Sequence, residues 1–150
     1  TTPYSKAIGV QARTLEIYEQ IGIAQDLIAE GAIAERARLV EGGEIRGEVE
    51  LTNIGEGISP YPFLLLVEQG KHEKILYNFI KLNGRDVRWN TELENFTQDE
   101  RGVTANVRTA DGNSETIEAK FLIGCDGAKS SVRQALNLTF EGSTFERLFY

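Results

Sequence analysis

Residues 123–133 hold the group of side chains in this sequence that is best suited to chemistry. They read IGCDGAKSSVR, so that an apolar run is followed by a carboxylate between two glycines and then by two serines and an arginine. The pattern predicts a buried strand that turns into a helix, with Gly124 and Gly127 allowing close backbone approach or positive φ. Ser130 suits a helix N-cap, and the helix start behind it suits a pyrophosphate.

Asp126 is the acidic side chain of this turn, and two interpretations of it are open. It is positioned to accept hydrogen bonds from turn amides, or from Arg133 if the helix brings that side chain back. Alternatively, Asp-Gly is an ordinary turn, Ser130 an ordinary cap and Arg133 a solvated helix residue. A buried strand followed by GCDGAxSxVR is much rarer than Asp-Gly alone, which favours the functional interpretation.

Other residues that could do chemistry have simpler interpretations. His72, the one histidine, is a general-base candidate by default, but a solvated or first-turn position in a helix is preferred. Cys125, the one cysteine, is predicted to be a small buried residue at a strand end and not a nucleophile. We predict no catalytic residue and no metal site, and we interpret four carboxylates as solvated residues of a hairpin: Glu41, Glu44, Glu48 and Glu50.

The composition limits the class of protein. The chain has 150 residues, of which 41% are hydrophobic and 26% charged, with a net charge of −7, as in a globular domain with one core. The acidic balance argues against nucleic acid or an anionic membrane as partner, because phosphate binding needs a basic face. A single cysteine allows no intrachain disulfide and favours a reducing, cytoplasmic location. No apolar run reaches the roughly 18–20 residues of a membrane span, and no signal peptide is visible.

Two features lead us to expect a fragment of a longer protein. The sequence contains no Met, not even at position 1. Its last seven residues, Thr144–Tyr150, alternate like a strand and are followed by no turn signal.

The hydrophobic spacing predicts helices and antiparallel strands in the first half. Helices are predicted at about Gly9–Ile21, ended by Gly22, and at about Ala24–Glu30. Alternation from Ala34 to Leu51 around Gly42-Gly43 predicts a hairpin, and Asn53–Pro62 a loop.

The second half predicts a buried strand, a helix, a meander, another buried strand and a short helix. This mixture indicates an α/β domain whose sheet carries an antiparallel insertion, with ligands beyond the carboxyl ends of strands, near residues 67–70 and 123–127. The predicted elements are Phe63–Val67, Lys71–Leu82, the meander strands Val87–Phe96, Gly102–Ala110 and Glu115–Ala119, then Phe121–Cys125 and Ser130–Leu136.

Residues 123–133 resemble the second fingerprint, the DG motif, of the class A FAD-dependent aromatic monooxygenases, the p-hydroxybenzoate hydroxylase-like family. Three further segments are similar to that family in the right order: Lys6–Gly22, Val67–Leu76 and Asn137–Phe149. The phenol- and polyketide-hydroxylase-like members are nearest. The resemblance implies an α/β fold: part of a FAD-binding Rossmann-like domain with an antiparallel meander. It also implies that residues 34–67 add strands to the substrate-binding sheet and that 137–150 begin the substrate domain.

The resemblance also implies roles for individual residues. Gln69 would hydrogen-bond the ribityl or pyrophosphate region of FAD. Asp126 and Gly127 would form a turn that serves both FAD and the pyrophosphate of the nicotinamide cofactor. Lys6 stands where the family usually has an Arg that reaches the FAD phosphates and ribose, but Lys lacks the bidentate fork of Arg. Arg13 would lie near the cofactor or form a salt bridge on its helix.

The function implied by the resemblance is hydroxylation of a small aromatic substrate, phenolic or polyketide-like. FAD, reduced by NADPH or NADH, would act through a flavin hydroperoxide. The GxGxxG and GD fingerprints of the family are not in this sequence, and without them we expect the chain not to hold FAD tightly. Two alternatives stay open: another superfamily activity (epoxidase, halogenase or isoprenoid reductase), and a non-catalytic remnant of the fold. A plain nicotinamide dehydrogenase is disfavoured, because no GxGxxG follows a strand.

Overall fold

The computed structural model describes residues 9–143, which divide into two compact units at the Val87–Arg88 bond. Each unit has its own sheets and helices and is described by itself. In chain order the elements are β1 Gly9–Val10, α1 Ala12–Gln20, α2 Ala24–Glu30, β2 Ala32–Ile33, β3 Arg36–Glu41, β4 Glu44–Glu50, β5 Leu65–Leu66, α3 Gln69–Leu82, β6 Glu92–Asp99, β7 Gly102–Arg108, β8 Ser114–Ala119 and α4 Ser131–Ala135.

The helices of the first unit form where the apolar spacing predicts them. α2 has the predicted bounds, α1 begins three residues later than predicted, and α3 begins at Gln69 instead of Lys71. Gly22 ends α1 with a φ of 78°, a left-handed conformation that glycine adopts without strain. Gly84 ends the α3 region in the same way, with a φ of 69°.

A small sheet of order β1-β5-β2 is the centre of this unit. β5 pairs antiparallel with β1 on one side and with β2 on the other. Leu65 of β5 is fully buried, as are Leu15 of α1 and Leu27 of α2. The predicted buried strand at Phe63–Val67 is confirmed only in part: Leu65 and Leu66 are in the ladder, and within the run Leu65 and Val67 are buried while the other residues are half-buried.

The predicted hairpin is β3–β4, closed by Gly42 and Gly43 with φ values of 59° and 82°. A two-residue type I′ turn needs positive φ at both positions, which explains the glycine pair. One face carries ion pairs, in which Arg36 and Arg38 both donate to Glu48. The apolar side chains of the hairpin are all more than half exposed: Leu39, Val40, Ile45 and Val49.

The second unit is built on the predicted meander, in which β7 lies between β6 and β8. Ala105 and Val107 of β7 are the buried apolar side chains of the described meander. Gly102, at the β6–β7 turn, has a φ of 148°, and a Cβ there would lie 2.4 Å from the Ala119 carbonyl oxygen. The turn residue thus has to be glycine for both reasons.

The prediction of a buried strand at Phe121–Cys125 is wrong. These residues lie outside any strand, and Phe121 and Ile123 are 82% and 81% exposed. Cys125 is also exposed, so its predicted burial is wrong as well. An apolar run is buried on both faces only where neighbouring strands and covering layers exist, and the described residues of this unit supply neither. The predicted strand at 144–150 lies outside the described residues.

His72 links α3 to α1. Its Nε2 lies 2.7 Å from the hydroxyl of Tyr18, and the two rings meet edge to face at a centroid distance of 5.4 Å. His72 is therefore in the first turn of its helix, as expected, but it is half-buried and not solvated. Burial lowers its pKa, and the carboxylate of Glu73 opposes this weakly.

Among residues 9–143, no helix combines the length and the apolar character needed to cross a bilayer.

Gly31→Ala should destabilise the first unit, because a Cβ at residue 31 would lie 2.8 Å from Leu65 Cδ1 and 2.9 Å from the Leu66 carbonyl oxygen. Overpacking of this kind costs roughly 1–3 kcal/mol. Gly47→Ala is the matched control, since a Cβ there meets no atom within 4 Å. Urea unfolding should show a lower midpoint for Gly31→Ala only; equal midpoints for the two variants would refute the packing argument.

The free energy of unfolding should decrease as the pH falls from about 6.5 towards the lowered pKa of His72, because the unfolded state then binds more protons. His72 is the one histidine, so it dominates this window. His72→Gln should remove the slope between about pH 7 and 5.5. Tyr18→Phe should keep it, because burial and not the hydroxyl lowers the pKa. A slope retained in His72→Gln would show that another group titrates.

Candidate cofactor-binding site

The Asp126 carboxylate organises the turn before α4. Its Oδ1 accepts a hydrogen bond of 2.5 Å from the Ser130 hydroxyl, and its Oδ2 accepts one of 3.2 Å from the backbone N–H of Val132. The Ser130 Oγ in turn accepts from the N–H of Arg133 at 3.0 Å and caps the helix. Ser130 is therefore the predicted N-cap, and it is buried while Asp126 is exposed.

These hydrogen bonds hold the pKa of Asp126 below its usual range, with the Ser130 hydroxyl as the largest cause and the backbone N–H groups of Val132, Asp126 and Ser131 also contributing. Asp126 is consequently ionised at neutral pH. It places a full negative charge at the start of α4.

The amides at the start of α4, where the sequence predicts that a pyrophosphate rests, already have acceptors within the chain. The N–H groups of Ser131 and Val132 already point at the Asp126 carboxylate, and that of Arg133 points at Ser130 Oγ. A phosphate there would compete with a carboxylate and be repelled by it. Sequence patterns show that a helix starts but not which acceptor occupies its first amides.

Gly124 and Gly127 of the motif are each required to be glycine, for different structural reasons. A Cβ at Gly124 would lie 2.9 Å from the Cβ of Val132, so Gly124 allows the chain before the turn to pack against α4. Gly127 has a φ of 79°, with open space where its side chain would be, and its carbonyl accepts from the N–H of Ser130 at 3.0 Å. Both reasons, close approach and positive φ, are those that the sequence predicts.

Arg133 does not bind Asp126. Its guanidinium lies 4.6 Å from the centroid of the Phe140 ring and makes a cation–π contact there. The sequence interpretation that paired Arg133 with Asp126 is therefore wrong, because it could not foresee an aromatic partner seven residues along the chain.

Gln69 is the first residue of α3 and follows β5 by three residues. Its Nε2 donates to Glu73 Oε1 at 2.9 Å, one helical turn along. The side-chain amide of Gln69 therefore lies at the start of a 14-residue helix, just after the strand β5. This is the strand-to-helix step that the sequence predicts near residues 67–70.

Arg13 lies in the first turn of α1 and pairs with Glu16 at 2.9 Å, with 74% of its side chain exposed. This is the helix-face salt bridge that the sequence left open as an alternative. Glu16 also accepts a 2.7 Å hydrogen bond from the Ser59 hydroxyl. No pattern in the sequence predicts this contact. The Ser59 and Arg13 bonds lower the pKa of Glu16. Lys6 lies outside the described residues.

The structure places the site residues in two units. Arg13 and Gln69 belong to the first, and Asp126 and Gly127 are adjacent in the second.

Within residues 9–143 there is no group of three or more His, Cys, Asp or Glu side chains that could hold a metal ion. The four hairpin glutamates include three that pair with arginines: Glu41, Glu44 and Glu48.

Solved structures share this fold. The structure of p-nitrophenol 4-monooxygenase from Pseudomonas putida superposes with a TM-score of 0.86 at 25% identity, covering 97% of this chain and 37% of that one. A TM-score this high over nearly the whole chain extends the resemblance from sequence motifs to the backbone.

Sequence comparison identifies curated relatives as well. A flavin-dependent monooxygenase of Mycobacteroides abscessus is 35% identical over 97% of this chain and 32% of its own length. Pentachlorophenol 4-monooxygenase of Sphingobium chlorophenolicum is 30% identical over 95% of this chain and 26% of its own length. The chain thus spans about a third or less of these relatives. A family model described as a FAD binding domain matches residues 1–148, and the chain therefore belongs to the FAD-binding domain family.

Proposed function

We propose that this chain is part of a FAD- and NAD(P)H-dependent monooxygenase that hydroxylates a small aromatic substrate. The observation that carries the proposal is the match of nearly the whole chain to a FAD binding domain and to relatives named as monooxygenases. Their names include chlorinated and nitrated phenols and the polyketide 6-methylpretetramide. A phenolic or polyketide-like ring is accordingly the proposed substrate class.

The residues of the first unit suit the polar parts of FAD. Gln69 presents a side-chain amide at the start of α3, which can both donate to and accept from a ribityl chain or a phosphate. Arg13 is largely exposed and keeps donors beyond the one that binds Glu16. We propose that Gln69 and Arg13, together with Lys6, hold the cofactor by hydrogen bonds and charge.

The residues of the second unit suit a sugar better than a phosphate. Ionised Asp126 is an acceptor only, so the ligand groups that it attracts are hydroxyls. Acidic side chains that bind ribose in this way are common in dinucleotide sites. We propose that Asp126 accepts from a ribose or ribityl hydroxyl, and that Gly127, with open space at its Cα, lets the cofactor approach the backbone.

FAD, when bound and reduced by the nicotinamide cofactor, supplies the oxygen chemistry that no side chain can provide. The residues of this chain bind and orient it. Each proposed contact residue is itself held by a neighbour within its own unit: Ser130 donates to Asp126, and Glu73 accepts from Gln69. No residue among those described is assigned a catalytic role.

The hairpin β3–β4 supports the proposal that residues 34–67 add strands to a substrate-binding sheet. Its apolar side chains Leu39, Val40, Ile45 and Val49 are more than half exposed, and an isolated two-stranded ribbon is marginally stable in water. We propose that further strands of the full-length protein cover these side chains, and that residues 137–150, half of them outside the described range, lead into the same domain.

The full-length protein should purify with bound flavin and should oxidise NADPH or NADH faster when a phenolic substrate is present. Absorbance in the flavin bands measures the bound cofactor, and the rate of NAD(P)H consumption measures the oxidation. A product lacking a new hydroxyl group would point to an epoxidase, halogenase or reductase. Neither flavin binding nor oxidation would support a non-catalytic remnant.

Asp126→Asn should raise the dissociation constant for FAD about tenfold or more, because a hydrogen bond to a charged group contributes roughly 1.5–3 kcal/mol. Glu118→Gln is the control. It removes one negative charge from an exposed position of β8 in the same unit, away from the DG turn in sequence, and should leave FAD affinity unchanged. Equal FAD affinity in Asp126→Asn and wild type would show that Asp126 stabilises the start of α4 and does not bind the cofactor.

A further inference from the structure

The first turn of α3 carries Gln69, a proposed FAD contact, but it is not anchored by buried side chains. Within the described residues of the first unit, none of the 14 residues of α3 is buried, and the Glu68 side chain makes no capping hydrogen bond. Ile75, further along the helix, packs against the core and is itself only half-buried. The position of the first turn therefore depends on the polar contacts that its side chains make with other helices.

Two successive side chains of this turn reach other helices. Lys71 forms an ion pair of 3.4 Å with Glu30 of α2, and about half of each side chain is exposed. Exposed pairs of this kind contribute little to stability, because water and salt screen the charges. The next residue, His72, contacts Tyr18 of α1.

The contact between His72 and Tyr18 is close and partly shielded from water. His72 Nε2 lies 2.7 Å from the Tyr18 hydroxyl, and the two rings meet edge to face with their planes at 74°. The hydrogen bond forms with either tautomer of the neutral imidazole, since the hydroxyl can donate or accept. Both side chains are half-buried, and Tyr18 also packs against the core that contains Leu65. The contact therefore ties the first turn of α3 to the core through α1, in surroundings where a hydrogen bond is stronger than in water.

The helix itself joins His72 to Gln69. The two residues are three positions apart, so they are neighbours on the helix surface. The N–H of His72 donates to the Glu68 carbonyl at 3.1 Å, which closes the turn that contains Gln69. Glu73, the residue after His72, accepts from the Gln69 amide at 2.9 Å. The backbone of His72 thus closes the turn, its side chain anchors the turn to α1, and its neighbour orients the amide.

We propose that His72, through its contact with Tyr18, is a positioning residue for the cofactor. It fixes the first turn of α3, so that the Gln69 amide is already in place when FAD arrives. The inference rests on the proposed function for the identity of the ligand, and it assigns His72 no contact with FAD itself. A fixed amide loses little entropy on binding, whereas a turn that can shift against α1 has to be ordered first.

The test measures the affinity of the full-length apoprotein for FAD by quenching of flavin fluorescence. His72→Ala and Tyr18→Phe should each raise the dissociation constant about three- to tenfold, as the loss of one net hydrogen bond would. The double variant should bind no more weakly than His72→Ala alone, because both changes remove the same contact. His72→Gln keeps a group that can hydrogen-bond the Tyr18 hydroxyl, and its dissociation constant should stay within about twofold of the wild-type value.

Glu30→Gln is the matched control. It breaks the neighbouring ion pair with Lys71, which also joins the first turn of α3 to another helix, and it should leave FAD affinity unchanged. A loss in Glu30→Gln as large as that in His72→Ala would overturn the specific role of His72. Circular dichroism and thermal midpoints check that every variant is folded.

Gln69→Ala distinguishes positioning from general stabilisation. If His72 acts through Gln69, Gln69→Ala should weaken FAD binding in the wild type and have much less effect in His72→Ala. Additive effects of the two changes would overturn the inference, as would unchanged affinity in Gln69→Ala or in both His72→Ala and Tyr18→Phe. In these cases FAD still binds and the proposed function stands. A wild-type protein that binds no FAD would instead contradict the proposed function, and the inference with it.

Discussion

The burial of Leu65 is the constraint on which the first unit depends. Its side chain is fully enclosed, and its strand is hydrogen-bonded on both edges, by β1 and by β2. Helices α1 and α2 contribute Leu15 and Leu27 to the same core. Gly31 has to lack a side chain for β2 to reach β5. A two-residue ladder can be this decisive because interiors are close-packed and tolerate little change in volume.

That buried strand also positions what the unit offers to ligands. Residues 61–64, which lead into β5, form one wall of an apolar cleft whose other walls are the start of α1 and the loop after β4, and Gln69 begins α3 just after β5. One stretch of nine residues therefore carries an apolar surface at one end and a polar amide at the other. A buried strand between the two fixes their positions along the chain, and fixed side chains lose little entropy when they bind.

The second unit depends on a local arrangement. Asp126 accepts from Ser130 and from the first amides of α4, so the carboxylate caps the helix and still presents a charge to solvent. This charge is the basis of the proposal that the DG turn meets a sugar hydroxyl of the cofactor. Membership of the FAD-binding domain family supports FAD as the ligand in that proposal.

The sequence alone determined the features set by neighbours in the chain: the bounds of α2, the glycine turn of the hairpin, the meander, the Ser130 cap and the family. These follow from apolar period, turn chemistry and backbone freedom, which act over a few residues. Only the tertiary structure decided that Phe121–Cys125 is exposed, that Arg133 stacks on Phe140 and that Tyr18 meets His72. Burial and side-chain partners depend on what packs alongside, which spacing along one chain does not specify.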